Sequence, residues 1–383
     1  MRCAGIVCEL DPMHYGHKYL FDKVREAGFS HIVCAMSGDL TQRGDVSLAD
    51  KQSRARCAVL NGADLVIELP PPFSCSCSEV FAKSAVKLLA AAGADTIAFG
   101  SEYDDKALLQ SCANVSEKLK DDPDIAAVVA EGFSYPRAVS KVAGAKYGSE
   151  CAMILAEPNS TLGIEYIKAA KLYGVPDFLP IRRHGAAHES ADTINGFTSS
   201  GNIRKLVKKG SDISKLTLLD MTNEPPAFID KMEAHIVYTI CTADEATLRK
   251  CPDINDQLLD SITNMRKNPP ADLGEMYVAL KCKGVTLARI RRIAAFVAVG
   301  LENVSIDELT GARVLAFNDR GAQLLSAAKG GDILFDTSLA RFQSVIPKIV
   351  QNVVKASYFR YLCTEREQDP INEYTRKITI EKE

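Results

Sequence analysis

The apolar and polar positions change character near the middle of the chain. Continuous apolar runs of strand length recur at residues 3–9, 31–36, 64–69 and 96–100. Unbroken apolar character, in place of alternation, predicts strands covered on both faces. Helical stretches lie between them at 16–27, 49–61 and 79–92. The second ends in Asn61-Gly62 and the third in Gly93, both good helix stops. Strand–helix–strand alternation predicts an α/β fold with a right-handed, doubly wound parallel sheet. A later run, 177–183, reads as a further strand of that sheet. Residues 104–148 are helical and charged. Beyond about residue 205 strand signals become rare, and stretches such as "ARIRRIAAFVAVGL" read as helices. The boundary is placed in "KKGSDIS", giving an α/β domain over 1–210 and a mainly helical domain over 211–383. A length of 383 residues fits two such units.

Composition narrows the class. With 46% hydrophobic and 25% charged residues the chain is an ordinary globular protein. A net charge of −3 excludes a molecule that attracts nucleic acid as a whole, so any basic surface is local. Twelve cysteines are scattered without paired CxxC spacing. They predict reduced thiols in a cytoplasmic protein, with no metal site. No signal peptide precedes the first strand. No apolar stretch reaches the about 20 residues that span a bilayer, so no membrane is expected.

The candidate chemistry starts at the first bend, "ELDPMHYGHKYLF". In an open parallel sheet, ligands sit beyond the carboxyl ends of the strands. This loop is such an end, and it runs straight into a helix whose N-terminus favours an anion. Gly16 lets a ligand approach the backbone. His14 and His17 lie one turn apart, so both rings can face one ligand and donate to phosphate oxygens.

"HYGH" resembles the HxGH signature of the nucleotidylyl-transferase superfamily, and "TSSGNIR" (198–204) resembles its ISSTxxR-type motif. The likeness extends further. "GIVCELDPMHYGHKYL", "MSGDLTQRGDVSLADKQSRARCAVLNGADLVIELP", "FGSE", "PNSTLGIEYIKA" and "PIRRHGAAH" are similar, in order, to segments of the bacterial tRNA(Met) cytidine acetate ligases. "KCKGVTLARIRR" and "ARVLAFNDRG" resemble blocks of the same family further on. The matches are dense over residues 3–210, patchy to about 321 and weak beyond. There are departures. Leu10-Asp11 stands where the family has Tyr-Asn, and Gly284, Val285, Leu287 and Ala288 replace Arg, Tyr, Tyr and Thr.

The resemblance implies a Rossmann-like nucleotidylyl-transferase fold and a ligase. ATP and acetate would form acetyl-adenylate, and the acetyl group would pass to N4 of the wobble cytidine of elongator tRNA(Met). It implies catalytic roles for His14 and His17. The ATP site would take in Ile6, Val7, Cys8, Glu9, Leu10, Asp11, Pro12, Met13, Tyr15, Gly16, Lys18 and Tyr19 around those histidines. Gly100, Asn159, Arg182, Arg183, Ser199, Ser200 and Arg204 would complete it. Mg2+ as companion to ATP is left open. Of the two arginines ending the strand, alternation lets only one reach the nucleotide. His184 and His188 read as loop residues.

Three stretches carry two readings each. Gln42, Arg43 and Gly44 would hold the carboxylate or the incoming base, or form a solvated turn. Asp50, Lys51 and Arg54 would be an exposed helix face with an Asp50–Arg54 pair, or Arg54 would bind ligand. Lys281, Lys283, Arg289, Arg291 and Arg292 would track tRNA phosphates, or form a solvated helix face. Two rival functions use the same motifs: a small-metabolite adenylyltransferase, and a non-catalytic RNA-binding protein with a relic nucleotide fold.

Overall fold

The computed structural model describes residues 1–183, 198–222, 224–365 and 370–381. The expected strands form as β1 (Cys3–Cys8), β2 (His31–Ser37), β3 (Leu65–Leu69), β4 (Thr96–Ser101) and β5 (Asp177–Arg182). They are mutually parallel in the order β5-β4-β1-β2-β3. Helices α1 (Tyr15–Glu26), α2 (Lys51–Leu60) and α3 (Ser78–Ala91) make the crossovers between them. The continuous apolar reading is met in full at β2 and β3, where every residue is buried.

Between β4 and β5 the chain makes α4 (Lys106–Lys118), α5 (Pro123–Ala130), α6 (Tyr135–Tyr147), α7 (Ser149–Ala156) and α8 (Pro158–Leu172). Then α9 (Ser200–Lys208) leads into the second half. There α10 (Glu233–Thr242), α11 (Glu245–Leu248), α12 (Asp256–Met265), α13 (Leu273–Leu280) and α14 (Leu287–Val299) enclose a core of their own around Ile236, Ile262, Met276 and Ile293.

The sheet differs from the expectation in one respect. The chain returns to it as β6 (Gly311–Phe317), which pairs antiparallel with β3. After α15 (Asp319–Ala327), β7 (Leu334–Asp336) pairs with one end of β6. After α16 (Pro347–Leu362), β8 (Thr379–Ile380) pairs with its other end. The sheet is therefore mixed though mainly parallel, and the last third of the chain is not confined to a helical domain. The physical reason lies in "GARVLAF": a run of strand length, apolar except for Arg313, that ends before Asn318 and is buried along nearly all of it.

The same return buries charges that read as surface. Lys51 is fully buried and meets carboxylates of Asp39 at 3.0 Å, Glu68 at 2.9 Å and Glu373 at 3.1 Å. Burial alone would lower its affinity for a proton, but these carboxylates outweigh it and hold the ammonium above its ordinary range. Asp50 caps α2 by accepting from the Gln52 amide and pairs with Arg376, not with Arg54. The exposed-face reading of Asp50, Lys51 and Arg54 is thereby corrected: period-3.6 charge looks like surface until a distant segment, here residues 373–376, covers it.

Candidate active site

The loop after β1 is held from below. Ile6, Leu10 and Met13 are buried, so the main chain is what they offer a ligand. Leu10 sits at φ +51°, a left-handed conformation costing a branched side chain about 1–2 kcal/mol. The Asp11–Pro12 peptide is cis. Arg54, fully buried, donates to the carbonyls of Glu9 (2.5 Å), Ser37 (3.0 Å), Gly38 and Ala49 (3.1 Å). It clamps the ends of β1 and β2 together, and four of its five N–H donors are spent on main-chain carbonyls. Glu9 accepts from the Gln42 amide at 2.7 Å, and burial pushes its carboxyl up.

His14 and His17 begin α1 as a reciprocal cap. The Gly16 amide donates to His14 Nδ1 at 3.1 Å, and the His14 amide donates to His17 Nδ1 at 3.2 Å. The rings stack, with centroids 3.9 Å apart. In a neutral ring whose Nδ1 accepts, the proton sits on Nε2. Burial, assisted by the nearby Arg183 charge, pushes the pKa of His14 down to about 4. Burial, followed by His14 and Arg183, pushes His17 well below its ordinary value. Both rings are therefore neutral at pH 7, and each presents an Nε2–H for which no described residue supplies an acceptor.

A second helix N-terminus converges here. Ser199 caps α9 by accepting from the Asn202 amide at 3.1 Å, and Ser200 Oγ lies 3.5 Å from the Pro12 carbonyl. Arg204, expected at the phosphates, is instead engaged by Asp11 (2.7 Å), Asp45 (3.1 Å) and the Val46 carbonyl. It ties α9 to two loops, and its charge is already answered. The sequence motif could not show this, because its two carboxylate partners lie 193 and 159 residues away along the chain (204 − 11 and 204 − 45).

The arginines ending β5 divide as alternation requires. Arg182 points away and lies 3.7 Å from Asp104. Arg183 stacks against Gly100, where a methyl group would sit 3.4 Å from its Cγ, and its charge reaches Glu102, His14 and His17. Asn159, at the start of α8, donates to Glu102 Oε1 at 2.6 Å. Glu102 was not among the expected site residues, although it directly follows the carboxyl end of β4. Of the remaining predicted residues, Lys18 pairs with Asp22, Tyr15 is exposed, and Tyr19 carries Lys23 over its ring. His184 and His188 lie outside the described residues.

Gln42 and Gly44 are engaged within the protein. The Gln42 side chain donates to the Ser76 carbonyl at 3.1 Å. Gly44, at φ +77°, lets the loop pass so close to α14 that a methyl group would overlap the Arg291–Arg292 peptide. The basic cluster is partly corrected too. Arg292 is buried in an ion pair with Asp253 at 2.6 Å, and Arg289 donates to the Asp253 carbonyl at 2.7 Å. Asp253 lies 36 residues upstream of Arg289 and 39 upstream of Arg292, beyond the reach of a local reading of the cluster. Lys281 and Lys283 remain exposed.

Among the described residues no group of three His, Cys, Asp or Glu could hold a metal ion, and no helix is long and apolar enough to cross a membrane. The comparisons agree with the geometry. A family model described as HIGH Nucleotidyl Transferase matches residues 1–372. The tRNA(Met) cytidine acetate ligase of Clostridium novyi is 33% identical over 358 residues, covering 86% of this chain and 88% of that protein. That of Clostridium acetobutylicum is 29% identical, covering 99% and 100%. Solved structures of Thermotoga maritima TmcAL, one apo and one bound with alpha-thio ATP, superpose over the whole of both chains with TM-scores of 0.90 and 0.86 at 24% identity. With its neutral histidine pair capping the first helix of such a sheet, the chain belongs to the HIGH nucleotidyl transferases and, within them, to the tRNA(Met) cytidine acetate ligase family.

Proposed function

We propose that the protein activates acetate with ATP and transfers the acetyl group to N4 of the wobble cytidine of elongator tRNA(Met), in the cytoplasm. The observation that carries this reading is the pair of neutral, Nε2–H-donating histidines at the meeting of two helix N-termini. Forming acetyl-adenylate requires attack of a carboxylate oxygen on the α-phosphorus and departure of pyrophosphate. Such a step needs donors placed where charge accumulates, and no covalent nucleophile. The Nε2–H groups of His14 and His17 are donors of that kind. The amides of the first turns of α1 and α9 add positive dipole ends. Arg183 is the cation placed to face the phosphates, with Gly100 giving it room; Ser199, Ser200 and Arg204 shape the loop around them.

The second step is attack of a cytidine amine on the acetyl carbon, with AMP leaving. Acetate, ATP and tRNA are thus the partners. The exposed Lys281 and Lys283 are the members of the basic cluster that would meet tRNA phosphates. The described donor set does not itself fit a Mg2+ cage, so magnesium would arrive on the phosphates of ATP. The test is direct. Protein incubated with ATP, labelled acetate and unmodified elongator tRNA(Met) should yield N4-acetylcytidine at the wobble position, AMP and pyrophosphate. ATP–pyrophosphate exchange that ignores acetate and depends on a phosphorylated metabolite would replace this reading with an adenylyltransferase.

A further inference from the structure

Glu102 follows β4 directly and is half-buried. Its carboxylate is surrounded by donors. Oε1 accepts from Asn159 Nδ2 at 2.6 Å, while Oε2 accepts from the Ser160 amide at 3.0 Å and from Ser160 Oγ at 2.6 Å. Ser160 Oγ is in turn 3.1 Å from Ser101 Oγ, and both serines are fully buried. Burial works against ionisation here, but the hydrogen bonds from Ser160 and Asn159 outweigh it and hold the carboxyl below its ordinary value. At neutral pH Glu102 is therefore an acceptor only.

An acceptor-only partner settles which way an amide faces. Asn159 has to turn Nδ2 toward Glu102, which leaves its Oδ1 on the other side. No described residue donates to that oxygen. We propose that Glu102 is a positioning residue that locks Asn159 as a hydrogen-bond acceptor, so that the site selects a nucleotide offering a donor at that point. The donor is an N–H of the base or an O–H of the ribose. The inference rests on the reading of this pocket as the ATP site.

Replacing Glu102 by Gln removes the constraint. The glutamine has to keep Oε1 on Ser160, whose amide donates, so its Nε2 faces Asn159. Asn159 then turns Oδ1 inward and presents Nδ2 to the ligand. The experiment measures binding by calorimetry of ATP, inosine triphosphate, 2′-deoxy-ATP and 3′-deoxy-ATP to the full chain and to Glu102→Gln. Calorimetry needs neither acetate nor tRNA. The native protein should prefer ATP to one of the three analogues by at least about tenfold, because a site built to accept leaves a buried group unpaired when the donor is missing. In Glu102→Gln that ratio should collapse toward one. Loss of the inosine preference assigns the donor to the base amino group, and loss of a deoxy preference assigns it to the ribose. Asn159→Ala should erase the same ratio, and the double variant should go no further. Asn159→Ala also keeps the test open if Glu102→Gln fails to fold. Unchanged ratios in these variants, with affinity lowered equally for all four nucleotides, would reduce Glu102 to a structural role and overturn the inference. Failure of the native protein to bind ATP at all would instead sink the reading of the pocket.

Discussion

Beyond β2 and β3, Lys51 is enclosed by Asp39, Glu68 and Glu373, and Arg313 meets Glu373 at 2.5 Å. Beyond β1, on the same edge of the sheet, His14 and His17 are stacked and half-buried, with an Nε2–H each that the described residues leave unanswered. Both are polar assemblies drawn out of water, the first wholly and the histidine pair in part, and burial penalises both. They differ in where the compensation comes from. In the first, the protein supplies every opposite charge, two of them from the distant Glu373 and Arg313. In the second, the inner nitrogens are answered by backbone amides and the outer ones have no acceptor among the described residues. Density of charge is thus a poor marker of a site in this molecule. The oriented but unanswered donor is the better one.

The comparison breaks if the Lys51 cluster turns out to bind ligand, or if the histidine pair turns out to hold the fold. Lys51→Met keeps most of the volume and deletes the charge, leaving the Asp39 and Glu68 carboxylates without their cation in the core while Arg313 still holds Glu373. Unfolding in urea should show a loss of about 3–5 kcal/mol. The dissociation constant for ATP, measured well below the transition, should stay within about twofold. A large loss of affinity without a loss of stability would make the cluster part of the site.

His17→Ala should do the reverse. Removing one well-placed donor typically lowers the rate by about 10²–10³. ATP–pyrophosphate exchange in the presence of acetate should fall by that factor. The lost cap bond to the His14 amide should cost only about 1 kcal/mol in the same urea experiment. Normal exchange by the folded variant would remove the histidine from catalysis.

What the sequence disclosed divides along the same line. The HYGH bend, both converging helix N-termini and the five parallel strands were legible, because each depends on local periodicity, caps and turn residues. The antiparallel β6, the engagement of Arg204 and Arg292, and the burial of Lys51 were not. Each of these depends on a partner contributed by a distant stretch: Val66, Asp11, Asp253 and Glu373 respectively. A charge reads the same in sequence whether it is spent inside the fold or free for a ligand. Glu102 is the exception that local reading should have caught, since a carboxylate at the carboxyl end of β4 sits where ligands of open sheets bind.

The smallest effect is also the one that separates tautomer from charge. Burial lowers the folded-state pKa of His14 to about 4 and pushes that of His17 well below its ordinary value of 6.5. Between pH 6.5 and 4 the unfolded chain therefore binds more protons than the folded one, and stability rises with pH across that window. The contribution is fully present above 6.5 and is lost as the pH falls toward 4. His14→Asn keeps a side-chain acceptor for the Gly16 amide and cannot titrate, so it should reduce that slope to the part His17 supplies while changing stability at pH 7.5 by little. In the native protein, long-range ¹⁵N–¹H spectra without nucleotide should show two neutral rings protonated at Nε2 at pH 7, with no titration near 6.5. A ring that titrated at its ordinary value would mean that the pair is solvated, and the pocket would then resemble an exposed helix start with nothing reserved for a ligand.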